Sequence, residues 1–254
     1  MASEAQILAK LDRPPAAHNW ARSNFQEQSQ TTRALVNLAF GFPQVSYQWA
    51  IRIIQIVLAD ARTDQEAEAL LRRCCPAVQL ERNADLLQAF LAYRAVRQFD
   101  GLPVYPEFYG CFMAGADVSV PVRPTAIIRE NGVLKPIFVI PWAHNGLKYF
   151  QRRLLSTLYE DAIYSLTDFR KSQGEVLIFP EDAYGNRCVD RWIRGSYDLL
   201  SRQELVAQVE RFVTARQEAR LEIPVRLKAQ EAKRSAASDA RRRPDSSDPS
   251  NPIT

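Results

Sequence analysis

Glycine is scarce in this chain, nine residues in 254. No G-x-G-x-x-G fingerprint, G-x-x-x-x-G-K-S/T loop or G-x-S-x-G elbow occurs. That excludes the glycine-built phosphate cradles and the strained nucleophile turn of the α/β hydrolases. Histidine is scarcer still, with only His18 and His144. A His-rich metal site is therefore excluded, and any Ser–His or Cys–His pair has to draw on one of those two. The four cysteines are Cys74, Cys75, Cys111 and Cys188, and no two stand in a C-x-x-C spacing. They read as inert thiols, not as a zinc knuckle or a redox pair. No apolar run approaches the ~20 residues of a membrane span. The opening MASEAQILAKLDRPP has neither a basic start followed by an apolar segment nor a small-residue cleavage site, so a cytoplasmic location is expected.

An excess of one charge is also lacking. The net charge is +4, but from Val225 onward seven Lys or Arg face four Asp or Glu. The remaining chain holds 26 basic and 25 acidic residues. A nearly neutral body argues against a broad phosphate-binding surface.

What is present is organised around residues 117–171. Asn131-Gly132 suits the two positive φ angles of a type I′ hairpin turn. That turn sets Glu130 opposite Val133, Ile128 opposite Lys135, Thr125 opposite Phe138 and Arg123 opposite Ile140. One face of the hairpin then carries Val122, Ala126, Ile128, Ile137 and Val139. The other carries Ile127, Leu134, Phe138, Ile140 and Trp142. Both faces are apolar, which predicts a sheet covered on both sides. Pro121, Pro124, Pro136 and Pro141 lack ladder donors and predict bulges or strand ends. A long helix follows, with Leu147, Phe150, Leu154, Leu158, Ala162, Leu166 and Phe169 at three- and four-residue steps. Asn145 is its expected N-cap and Gly174 its stop. The segment EVLIFP, Glu175 to Pro180, is a further strand.

Residues 1–100 read as helical. Ser3 caps a first helix, and 13–30 reads as a loop or mobile arm. Further helices are expected from about Thr31 to Gly41, from Ser46 to Ala61, from the Thr63-x-x-Glu66 capping box, and over Asn83–Gln98. Residues 101–116 read as a connector or a short edge strand. Their aromatics, Tyr105, Phe108, Tyr109 and Phe112, either line a pocket or pack under the loop. Ser201-x-x-Glu204 opens a closing helix. Beyond about residue 222 apolar residues thin out, which predicts a disordered tail over 222–254. The expected organisation is α+β or α/β. A helical region (1–100) packs on a small mixed sheet within an α/β core (101–221), built from a hairpin, a crossover helix and a further strand.

The order helix, hairpin, helix, strand resembles the core of the restriction-endonuclease-like, or PD-(D/E)XK, superfamily. The resemblance implies a Mg²⁺-dependent phosphodiesterase site on the hairpin, with its first carboxylate near Asp117. It also implies a carboxylate and a lysine two residues apart on the second hairpin strand. That strand runs from Leu134 to Trp142 with Lys135 and no acidic residue. The resemblance therefore implies a degenerate core. Glu130 and Lys135 are diagonal neighbours, and a cross-strand ion pair at the hairpin tip accounts for them.

The expected function is a non-catalytic cytoplasmic interaction protein, binding a protein partner or another copy of itself. One alternative is a metal-dependent nuclease with a displaced site of Asp117, Glu130, Lys135 and Glu181. Another is a nucleic-acid binder using Arg123, Arg129, Lys148, Arg152 and Arg153, with the tail arginines Arg241, Arg242 and Arg243. His144 stands before a helix start beside Trp142. Glu181 and Asp182 follow a strand's carboxyl end, where α/β proteins place ligands.

Overall fold

The computed structural model describes residues 3–41, 47–60, 62–97, 108–144 and 146–242, with side chains through 235. The N-terminal part is helical as expected: α1 (Glu4–Leu8), α2 (Ala17–Arg22), α3 (Gln28–Phe40), α4 (Gln48–Asp60), α5 (Asp64–Cys74) and α6 (Ala77–Ala95). The two capping boxes read from the sequence form, Thr63 with Glu66 and Ser201 with Glu204, and the expected cap Ser3 makes a further one with Gln6. Each satisfies two backbone N–H groups that an open helix end leaves unpaired. Next come β1 (Gly110–Met113), β2 (Ser119–Val122), β3 (Ala126–Glu130), β4 (Val133–Ile140), α7 (Tyr149–Tyr159), β5 (Glu175–Ile178), β6 (Asp190–Ile193) and α8 (Arg202–Arg242). This is an α+β protein.

The main sheet has the order β3-β4-β5-β6. β3 and β4 form the expected hairpin, with Glu130 opposite Val133 and Ile128 opposite Lys135. Asn131 and Gly132 both have positive φ, 52° and 75°. β5 joins β4 in parallel after α7 crosses the sheet, and β6 adds an antiparallel edge.

The hairpin is shorter than its apolar run suggested. Pairing of β3 with β4 stops at Ala126, and β2 turns away to pair with β1 in a separate two-stranded sheet. Arg123 therefore does not face Ile140. Thr125 ends the ladder, its N–H donating to Ile137 O and its Oγ1 accepting from the Val139 N–H at 2.9 Å. Pro124, just before it, has no N–H with which to carry pairing further.

Strand alternation sends successive side chains to opposite faces, and each face meets its own core. Ile127, Phe138, Ile140, Val176 and Ile178 pack with α2, α3, α7 and α8. Ile128, Ile137, Val139, Leu177 and Phe179 pack with α4, α5 and α6. The helical region expected over 1–100 shares both cores with the segments after residue 100.

Three further expectations change. The segment 13–30 holds α2, too short to show a period. It is held by Trp20, which is buried against Phe112 and Phe212 at ring distances of 5.8 and 5.2 Å. The crossover helix is α-helical only to Tyr159, then widens into a π turn over Glu160–Tyr164. Ser165 N–H reaches back to Glu160 O, and the turn places Ala162, Ile163 and Tyr164 consecutively inside. Leu166 leaves the predicted stripe and is exposed. The helix ends at Tyr164, well before the expected stop at Gly174, whose φ is 48° and where a Cβ would overlap the Tyr164 hydroxyl. The expected cap Asn145 lies outside the described residues. At the start of α7 the Lys148 N–H donates to Gln151 Oε1 at 2.9 Å.

The third change concerns the tail. α8 runs through Pro224 and on to Arg242. Tertiary contacts hold it past 222: Ile223 is fully buried, Leu227 packs on the first core, and Arg226 donates to Asn37 at 2.9 Å. Residues 243–254 lie outside the described residues. No helix of the described residues is long and apolar enough to cross a membrane.

Candidate functional site

The residues of the displaced nuclease site are not brought together. Asp117 stands on the turn between β1 and β2, bonded at 2.9 and 3.0 Å to Arg216 of α8. Glu181 follows β5, with its carboxylate 3.9 Å from Arg187 Nε. Glu130 and Lys135 do meet, as the cross-strand pair expected at the hairpin. Ligands of one Mg²⁺ have to stand ~2.1 Å from it, and these carboxylates belong to three separate ion-pair networks. Among the described residues no group of three or more His, Cys, Asp or Glu is placed to hold a metal.

The basic patch disperses in the same way. Arg152 donates to Tyr197 and to Asp190, and Arg153 donates to Glu204 at 3.2 Å and Leu199 O at 3.1 Å. Lys148 lies over Phe25, and exposed Arg123 over the Tyr109 ring. Arg129 is exposed on β3. Of the connector aromatics, Phe108 packs on Phe169 and Phe112 is buried, while Tyr105 lies outside the described residues.

The sheet's two ends differ. At the amino edge of β4 and β5, Glu175 is the first residue of β5, and its side chain is fully buried. Arg97, just past α6, donates to it at 2.5 Å and to both oxygens of Glu130 at 2.8 Å. Arg191 of β6 adds two bonds of 3.0 Å to Glu175, and the Tyr93 hydroxyl donates to it at 2.5 Å. Burial raises the Glu175 pKa, but these donors outweigh it and hold the carboxyl below its usual value. For Glu130, burial likewise raises the pKa, and Lys135 and Arg97 bring the net shift downward. Burial works against charge on Arg97, yet Glu175 and Glu130 raise its pKa further. This is a closed, fully paired cluster. Its signal in the sequence was a lone glutamate opening the apolar run EVLIFP.

The carboxyl edge is open. A cleft of about 1070 Å³ lies between the two helical layers, where β4 ends at Pro141, Trp142, Ala143 and His144. α2 supplies His18, Asn19, Arg22 and Ser23, α3 supplies Asn37 and Leu38, and Tyr47, Gln48 and Ile51 come from the start of α4 and the residue before it. Among the described residues none of those lining the cleft is acidic. The Arg22 guanidinium lies over the Trp142 ring, 4.5 Å from its centroid. His18 meets the same indole edge-on at 5.6 Å. Burial pushes the His18 pKa down to about 4, so its ring is neutral at pH 7. Asn19 donates its amide N–H to His18 Nε2 at 3.2 Å, which leaves the ring proton on Nδ1.

The walls are braced from behind. Gln151 of α7 donates to Arg22 O at 2.7 Å and to Asn24 O at 3.0 Å, pinning the end of α2. Arg187 donates to Phe179 O, Pro141 O and the Tyr47 hydroxyl, tying the two strand ends to α4's approach. Glu181 N–H donates to Ala143 O at 2.7 Å, so Glu181 stands beside the cleft without lining it. Sequence reading reached His144 and the strand end. It weighed His18 only as one of two possible catalytic histidines and missed Asn19 and Arg22, because they sit on a helix too short to announce itself. Comparison with protein-family models, curated proteins and solved structures finds no match to this chain.

Proposed function

We propose that this chain is a non-catalytic cytoplasmic interaction protein on a nuclease-like core, and that it engages its partner at the carboxyl-edge cleft. One observation carries the reading. The candidate catalytic carboxylates are each bonded to or beside a cation, while the concave cleft has polar and aromatic walls without a carboxylate among the described residues. A carboxylate held by guanidinium groups is not free to bind metal or move a proton. A preformed cleft with a few convergent polar groups is the usual form of a binding site. Support for the nuclease-like core is the antiparallel hairpin, crossover helix and parallel strand in sequence. Four free thiols suit a reducing compartment.

The test is incubation of the full chain with DNA and with RNA in Mg²⁺ or Mn²⁺, together with anisotropy across a salt series. The expected outcome is no cleavage and no steep salt dependence. Cleavage that disappears in Glu130→Gln or Asp117→Asn would replace this reading with the nuclease. Binding that falls steeply with salt, without cleavage, would replace it with a nucleic-acid binder. Sedimentation of the full chain separates self-association from a distinct protein partner.

A further inference from the structure

We infer that the group of its partner seated in the carboxyl-edge cleft is an anion carried on a planar ring, an aromatic carboxylate or an aryl phosphate. The inference rests on the reading of the cleft as the binding site and gives that site a ligand class. Its first support is charge. Arg22 is exposed and has no carboxylate partner among the described residues, and no acid lines the cleft. Most other arginines near the sheet ends are paired: Arg97 with Glu130 and Glu175, Arg187 beside Glu181, Arg191 with Glu175, and Arg194 with Glu160. A cation without a counter-charge in a concave site raises the local concentration of anions.

The second support is geometry. The Arg22 guanidinium carbon stands 4.5 Å from the Trp142 ring centroid, and its Nε–Nη2 edge lies beside Gly146, which leaves the Nη1 side for a ligand. Guanidinium donors match a carboxylate or phosphate. With His18 neutral, Arg22 supplies the positive charge and the His18 Nδ1–H is a further donor. Trp142, His18 and Tyr47 supply flat surface for a ring. The third support is bracing. Gln151 fixes the backbone of Arg22, and the Arg187 side chain, 4% exposed, fixes Tyr47. A site held in place before binding loses less freedom when a ligand arrives.

The chain's only two histidines both line the cleft, so their ring resonances report on it without interference. The full chain is titrated with benzoate, with phenyl phosphate and with neutral benzamide. His144→Gln assigns the two signals. Benzoate, phenyl phosphate or both are expected to move both histidine signals saturably, and benzamide at least tenfold more weakly. The stronger of the two anions identifies the head group. Arg22→Gln should remove that tenfold preference with circular dichroism unchanged, and Arg22→Lys should keep part of it. Equal response to benzamide and the anions, or wild-type titration by Arg22→Gln, would overturn anion recognition and leave the cleft reading standing. No response to any probe would also overturn it. The cleft reading fails separately, if a cleft-filling Ala34→Trp variant binds an identified partner as the wild type does.

Discussion

The two ends of one four-stranded sheet solve opposite problems. At the amino edge, two carboxylates meet Arg97, Lys135 and Arg191, and Glu175 is sealed from solvent. At the carboxyl edge, Arg22 lies on Trp142 in an open cleft with no acid among the described residues of its walls. Burying a charge costs several kcal/mol unless it is paired, so the amino edge is complete only as a set. An exposed cation keeps its water and needs no partner to be stable. The dense cluster is satisfied within the fold, and the cleft is the edge to which our proposal assigns binding.

The sharpest way to break this contrast is Glu175→Ala. It strands Arg97 and Arg191 around a buried vacancy and should cost about 3–5 kcal/mol, read as a lower urea midpoint. A loss below about 1 kcal/mol would mean the cluster is not structural.

Acid should act on both edges in sequence. His18 titrates near 4 when folded against 6.5 in its ordinary state, so the unfolded chain binds more protons between those values. Stability should therefore fall as pH drops from 6.5 toward 4, by about 1–2 kcal/mol because the half-buried ring borders the open cleft. His18→Gln should flatten that window. Glu130 and Glu175 have lowered pKa values, so their contribution is present above the usual 4.5 and is lost as pH falls further. Unfolding curves at stepped pH separate the two windows, and a curve unchanged by His18→Gln would refute the assignment.

A double-mutant cycle on Glu130→Ala and Lys135→Ala should give a coupling of about 0.5–1 kcal/mol, modest because both side chains retain some solvent contact. The smallest effect belongs to Arg22→Gln, within about 0.5 kcal/mol of wild type by denaturation. A large loss there would make Arg22 a structural residue and erase the difference between the edges.

Local features were legible in the chain. The Asn131-Gly132 turn, the Ser3 cap, the Thr63 and Ser201 capping boxes and the two apolar faces of the hairpin depend on residues close together in sequence. The Glu130–Lys135 pair was legible for the same reason, since one turn sets both positions. Arg97 and Glu175 were not, because they reach that pair only after α6 and β5 dock. The reach of α8 past Pro224 was illegible too. Its sequence thins in apolar residues, yet Ile223, Arg226 and Leu227 find α3 and the first core.

Residue order alone placed α3 to α7, the β3–β4 hairpin with its turn, and β5, and predicted that both faces of the sheet are covered. Those outcomes follow from backbone sterics, cap hydrogen bonds and side-chain period, which act over a few residues. Packing decided which charges are neutralised and which face a cleft. Desolvation and ion pairing depend on what lies across space, and neither Arg22 over Trp142 nor Arg97 against Glu175 is written in any local pattern.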